Sequence, residues 1–293
     1  MAGDRPERGS SVSTVLGRRL GGELLRMREA RGLRQAHAAE ALTASVPKVA
    51  KMERGLVPMR DPDIRALCHL YGRDDADTVA RLLGLAKLDR ERRRAKGWWR
   101  HSPNAGALAE YIALEDVANQ VRNWQVSLIP GLCQTPEYAR ALGAGSAAWQ
   151  RPDEIERTVE IRMRRQTRLT GDRPLQVHAV IWEAALRQLV GGSEIMRAQL
   201  ARLLDLAALP NVKLQISPFS AGAHPCITSP FNIVSFAEPG AADVIHLDGI
   251  TSTVWVEHEG DSALYGEFFD RAAGLSLTPD DSVTLIDSLR KGL

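Results

Sequence analysis

Lys48 and Lys51 stand three residues apart in SVPKVAKMERG (45–55), and Val49 and Met52 alternate with them so that one side of a short helix is apolar and the other cationic. Only short or cationic side chains lead into that helix. Such a face can neutralise phosphates and reach base edges in a groove about 12 Å wide. The chemistry it suits is recognition of double-stranded DNA.

A face of that kind works only if other elements hold it outward, and residues 17–56 supply them. Leu20, Leu24, Leu25 and Met27 make an apolar stripe with arginines on the other side, and Gly32 stops this first helix after Arg31. Gln35 opens a second helix whose Ala36, Ala38, Ala39 and Leu42 allow close packing; after Thr43 and Ala44, Ser45 is placed to cap the third. Three short helices joined by tight turns predict a helix-turn-helix. Pro58, Asp61 and Pro62 then break the chain before a fourth helix carrying Ile64, Leu67, Cys68 and Tyr71. A fifth, with Val79, Leu82, Leu83, Leu85 and Ala86, runs into the basic segment RERRRAK at 90–96.

Charge follows the same division. The net value of +2 conceals 22 Lys plus Arg against 13 Asp plus Glu in residues 1–100, a net of +9, and 16 against 23 in residues 101–293, a net of −7. A basic head suits a phosphate backbone. The 293 residues are long enough for two domains, and no apolar run approaches the roughly 18 residues of a membrane helix. The opening MAGDRPERGSS lacks an apolar signal segment, which predicts a cytoplasmic protein with a disordered arm over residues 1–12. Cys68, Cys133 and Cys226 are odd in number and far apart, so they read as buried small side chains rather than disulfide or zinc ligands.

Beyond the junction GWWRHSPN (97–104), helical patterns cover 105–124, 136–143 and 152–170. The period then changes. LQVHAVIW (175–182), a helical 193–209 and NVKLQISPF (211–219) form a strand–helix–strand unit, which predicts neighbouring parallel strands. FNIVSF (231–236), DVIHLD (243–248) and TSTVWVE (251–257) add strands, with turns at Glu238-Pro239-Gly240 and around Gly249. Two closing helices follow, the second beginning at Pro279.

The head resembles the lambda-repressor-like, Xre-type helix-turn-helix family. Five tail motifs, GWW (97–99), PGLCQTPEYARAL (130–142), RMRRQ (162–166), EAALR (183–187) and PFSAGAHP (218–225), resemble the C-terminal domain found with such heads in actinobacterial regulators of antibiotic production and sporulation. The resemblance implies two domains: an all-α five-helix head at 13–89 and, after a basic connector at 90–104, an α/β regulatory domain with a mixed sheet at 105–293. It also implies a cytoplasmic transcription factor, working as a homodimer with a small partner protein encoded beside it, as an antitoxin does with its toxin. Carried over by residue, Gln35 and Arg54 would hold phosphate, Ser45 would cap and touch backbone, and Val46, Pro47, Lys48 and Lys51 would face the groove; Arg34 joins them as a DNA-binding candidate. Ala38 replaces a usually larger apolar residue, and Thr43 stands where glycine is common. A β-branched residue is strained at positive φ, so this turn is expected to use another conformation or to keep Thr43 out of the left-handed region.

An α/β tail with a loop such as PFSAGAHPC after a strand is also where enzymes place active sites. None of the seven histidines stands in HxK or HExxH, and GxSxG and a phosphate loop are absent, so neither catalysis nor a cofactor or metal is expected. Glu183 and Arg187 read as an i,i+4 helix pair, and His224 beside Pro225 as a turn residue. The alternative makes Glu183, Arg187 and His224 contacts to a partner or small-molecule ligand, in a tail that binds or processes it.

Overall fold

The computed structural model describes residues 13–94, 107–145, 151–223, 226, 229–237, 242–249 and 252–293. They divide into a helical unit within Met1–Lys96 and an α/β unit that begins at Gly97.

The helical unit is five helices, α1 (Val15–Ala30), α2 (Gln35–Ala41), α3 (Val46–Glu53), α4 (Asp61–Tyr71) and α5 (Ala76–Arg94). Their shared core holds Leu16, Leu20 and Leu24 of α1, Ala38 of α2, Val49 and Met52 of α3, the four expected positions of α4, and Leu82 and Leu85 of α5. The stripe on α1 is displaced from its expected course: Leu25 and Met27 are half-buried and Ala36 of α2 is exposed, whereas Arg19 and Arg28 turn inward. Gly21 explains how close α1 lies to α3, since a Cβ there would sit 2.4 Å from the Glu53 carbonyl oxygen. Pro62 does not break the chain; it occupies the first turn of α4, where its missing N–H costs nothing. Helix α5 continues through the first third of the expected connector, to Arg94. Arg90 pairs with Asp61 at 2.8 Å, and Arg93 bonds Asp89 at 2.8 Å and the Gly55 carbonyl at 2.7 Å, so these arginines brace the helices rather than form a loose basic linker.

The turn after α2 departs from expectation. The N–H groups of Thr43 and Ala44 return to the carbonyls of Glu40 and Ala39, the same pattern by which Gly32 and Leu33 close α1. Thr43 therefore takes the left-handed position, with φ 48°, and among the described residues it is the one non-glycine there. The tight turn demands that geometry whatever residue fills it.

The α/β unit is a six-stranded sheet in the order β3-β2-β1-β4-β5-β6, with β1 (Gln120–Gln125), β2 (Gln176–Trp182), β3 (Val212–Ser217), β4 (Phe231–Ser235), β5 (Val244–Asp248) and β6 (Thr253–Val256). Strands β1, β2 and β3 run parallel, and β4, β5 and β6 continue antiparallel from β1, so the sheet is mixed. The strand–helix–strand unit forms as read, with α10 (Ser193–Ala207) between β2 and β3. Helix α6 (Ala107–Val117), by contrast, stops short, and the rest of the expected helix over 105–124 is β1, a central strand. Its polar Gln120, Arg122, Asn123 and Gln125 conceal the strand pattern, because Asn123 is buried on a hydrogen bond from its Nδ2 to Asn232 Oδ1 (2.6 Å) rather than solvated. Trp124, Val180, Phe231, Ile233 and Ile245 meet Phe269 and Ala272 of α11 (Glu259–Gly274) in one apolar cluster. Helices α7 (Pro136–Ala144), α8 (Pro152–Gln166), α9 (Glu183–Arg187) and α12 (Pro279–Lys291) complete the unit. All three cysteines are free and buried.

Candidate nucleic-acid interface

Helix α3 is about 12 Å long at 1.5 Å per residue, and its two sides are sharply different. Val49, Met52 and Glu53 are buried; Val46 (43% exposed), Pro47, Lys48, Lys51 and Arg54 face solvent. Among the described residues neither lysine has an ion pair. Arg54 folds its Nε onto the Ala50 carbonyl at 3.0 Å, so its guanidinium stays at the end of α3. Ser45 sits at the N-cap with extended backbone, but its side chain makes no capping hydrogen bond and is exposed. Arg34 occupies the N-cap of α2, where its N–H donates to His37 Nδ1 at 3.0 Å and its side chain is exposed.

Gln35 makes a contact within the fold. It is half-buried, and its Nε2 donates to Glu53 Oε2 at 2.7 Å, with the same carboxylate gripped by Arg28 through Nε at 2.6 Å and a second nitrogen at 3.2 Å. The hydrogen bonds that Arg28 donates to Glu53 raise its pKa against the lowering effect of burial. Arg28 also donates to the Leu33 carbonyl at 2.6 Å. One carboxylate thus ties α1, the turn after it, the start of α2 and the end of α3 into a fixed angle, which keeps the exposed face of α3 outward. The apolar stripe of α1 predicts its arginines on the outer side, yet the sequence also carries the inward signal: Glu53 follows Val49 by four residues, and Arg28 follows Leu24 by four, so both extend inward faces.

In the α/β unit the family motifs gather at one place. PGLCQ follows β1, EAALR follows β2 and PFSAGA follows β3, so all three lie at the C-terminal edge of the parallel strands, where α/β sheets commonly bind ligands. RMRRQ, on α8, holds the first of them: Arg162 donates to Gln134 Oε1, and Gln166 Nε2 to the Gln134 carbonyl at 2.7 Å. From α10 the fully buried Gln199 accepts from Thr135 N–H and donates to the Cys133 carbonyl, both at 2.8 Å. Glu183 is buried, pairs with Arg187 at 2.6 Å and accepts the Phe219 N–H at 2.9 Å. Arg187 lies over the Phe219 ring, and Phe219 is 53% exposed, as Leu189 and Leu128 of neighbouring loops also are in part. Glu183 and Arg187 therefore form the expected helix pair and extend it to the loop after β3. His224 and Pro225, like the tryptophans of GWW and the turn at 238–240, lie outside the described residues. Elsewhere in this unit, His178, Lys213, Gln215 and Asp270 line an open cavity of about 460 Å³.

An exposed cationic helix held by two supporting helices defines a helix-turn-helix DNA-binding domain, here joined to an α/β domain. Residues 19–82 match the family described as a helix-turn-helix domain. Residues 108–288, more than half of the chain, match the family described as a domain of unknown function (DUF5753), and the chain belongs to that family. No curated protein and no solved structure matches it. Among the described residues no helix is long and apolar enough to cross a membrane.

Proposed function

We propose that this protein is a sequence-specific, Xre-type transcriptional regulator of the cytoplasm, acting by binding rather than catalysis, whose α/β domain receives a signal and changes DNA occupancy. The observation that carries the reading is α3, with Val46, Pro47, Lys48 and Lys51 outward and Val49, Met52 and Glu53 anchored beneath. Two copies reading half-sites about one helical turn apart would double the few base contacts one such helix can make. The signal is a small partner protein, in an antitoxin-like arrangement, supported by the exposed Phe219 against the Glu183–Arg187 pair and by the exposed Leu189 that follows it in the chain. A small-molecule signal is the second reading, favoured by the cavity at His178, Lys213 and Asp270.

The experiment is selection of DNA from a random pool by the full chain, followed by footprinting and a salt titration. A two-fold symmetric footprint, with affinity falling by about 0.9 log unit per log unit of salt for each phosphate contacted, is the expected result. Enrichment of no sequence, or affinity unchanged by salt, would overturn it. For the tail, copurification from native-host lysate with mass spectrometry of proteins and small molecules is expected to return a companion lost on Phe219→Ser with Leu189→Ser. Retention by that variant of a small molecule that Lys213→Met releases would favour the second reading.

A further inference from the structure

The two edges of the sheet are finished in opposite ways. At β3 both outward backbone groups of Ile216 are taken: its N–H donates to Ser282 Oγ at 2.9 Å, and the Leu277 N–H donates to its carbonyl at 2.9 Å. That strand also carries exposed Lys213. Both devices prevent a further strand from adding. At β6, among the described residues, neither is present. Residues 252–256, STVWV, contain no charge and no proline, and Thr253 to Val256 pair with β5 in unbroken register, without a bulge. Val254 is 50% exposed, and among the described residues no backbone hydrogen bond leaves β6 on its outer side. A regular, uncharged, β-branched edge is a template for another strand.

We propose that β6 is the dimer interface of this protein, pairing antiparallel with β6 of a second copy across a two-fold axis. The inference names a surface for the homodimer proposed above and rests on that reading. A copy is favoured by self-complementarity. If the sheet continues with its apolar face unbroken, directly opposed residues must share a face, so a residue and not a gap lies on the axis. With Trp255 on the axis, Val254 meets Val256 of the other copy, and Glu257 meets Thr253. No charged side chain then faces its own image, and the aromatic and β-branched pairs are those that stabilise cross-strand contacts. Trp255 already packs on His246 in a tilted ring contact, centroids 4.7 Å apart, which holds its ring at this edge.

The test measures the mass of the full chain by light scattering without DNA, across micromolar concentrations. A two-chain mass is expected, with Val254→Lys shifting the midpoint at least about tenfold to higher concentration and Val254→Thr leaving it in place. Circular dichroism and melting of the lysine variant should match wild type. A one-chain mass throughout, or a correctly folded Val254→Lys that dimerises like wild type, overturns the inference. Should the lysine variant not fold, hydrogen exchange decides: protection of peptides spanning 252–257 that rises with wild-type concentration supports the interface, and concentration-independent exchange overturns it. The two readings fail separately. A dimer that binds no selected DNA removes the regulator reading alone, and a monomer that binds DNA removes only the β6 interface.

Discussion

Helices α3 and α8 are both cationic, and they use their charges in opposite directions. Lys48 and Lys51 on α3 face solvent, while on α8 Arg165 is 9% exposed and holds Glu115 of α6 through two nitrogens at 2.8 and 2.7 Å, with its guanidinium 5.2 Å from the Tyr111 ring. Burial alone would lower the Arg165 pKa, yet the Glu115 carboxylate holds it above its ordinary value. Arg162, with no carboxylate beside it among the described residues, goes the other way, pushed down to about 10 by burial and by Arg165. What separates the two helices is what lies opposite. A buried acceptor across the interface, the Glu115 carboxylate for Arg165 or the Gln134 amide for Arg162, makes a cation structural, whereas Lys48 and Lys51 stay exposed to an external anion.

Removing one partner of the buried pair tests this contrast most severely. Arg165→Ala should cost the α/β unit about 3 to 5 kcal/mol, because Glu115 would stay buried and unpaired, whereas Arg165→Met with Glu115→Leu should cost much less. All six tryptophans lie at or beyond residue 98, so denaturant titration followed by tryptophan fluorescence reads this unit and not α1 to α5. Equal losses for the single and double variants would show that shape, not charge pairing, holds α8.

The next effect is a pH dependence confined to the same unit. His246 is packed between Tyr111 and Trp255 and accepts from Asn232 at 3.2 Å; burial, with Arg165 nearby, pushes its pKa from 6.5 down to about 4. The unfolded chain binds the proton first. Stability is therefore complete above about pH 6.5 and falls on the order of 3 kcal/mol as pH drops towards 4. His246→Phe should flatten that slope in fluorescence-monitored melts, and an unchanged slope would place the acid sensitivity elsewhere.

On the exposed helix the magnitudes invert between stability and binding. Lys48→Ala and Lys51→Ala should each change stability by no more than about 0.5 kcal/mol, while a lost base contact weakens DNA binding by about 1 to 3 kcal/mol and relaxes preference at one position. Binding isotherms on selected and mismatched DNA, beside melts of the same proteins, separate the two. Smallest is the turn that aims α3. Thr43→Gly should stabilise the helical unit by about 1 kcal/mol by relieving a β-branched residue at φ 48°, and Thr43→Val should not. A melt unchanged by glycine would mean that the turn carries little strain.

Periodicity within single elements was enough to orient α3 and α4 and to identify the strand–helix–strand of β2, α10 and β3. In each, a side chain's relation to water repeats along the local chain: Val49 and Met52 inward, Lys48 and Lys51 outward. It was not enough for β1, where Asn123 is buried against a strand more than a hundred residues away (|i−j| = 109), or for Thr43, whose left-handed φ is imposed by the hydrogen bonds of the turn. The uses of Gln35 and Arg165 were likewise decided only in the tertiary structure, since their partners lie 18 and 50 residues distant. Local spacing states which side of an element leaves water. Which charge or amide meets it there depends on chain closure between remote segments, and that closure decides whether a cation braces the fold or stays free to bind.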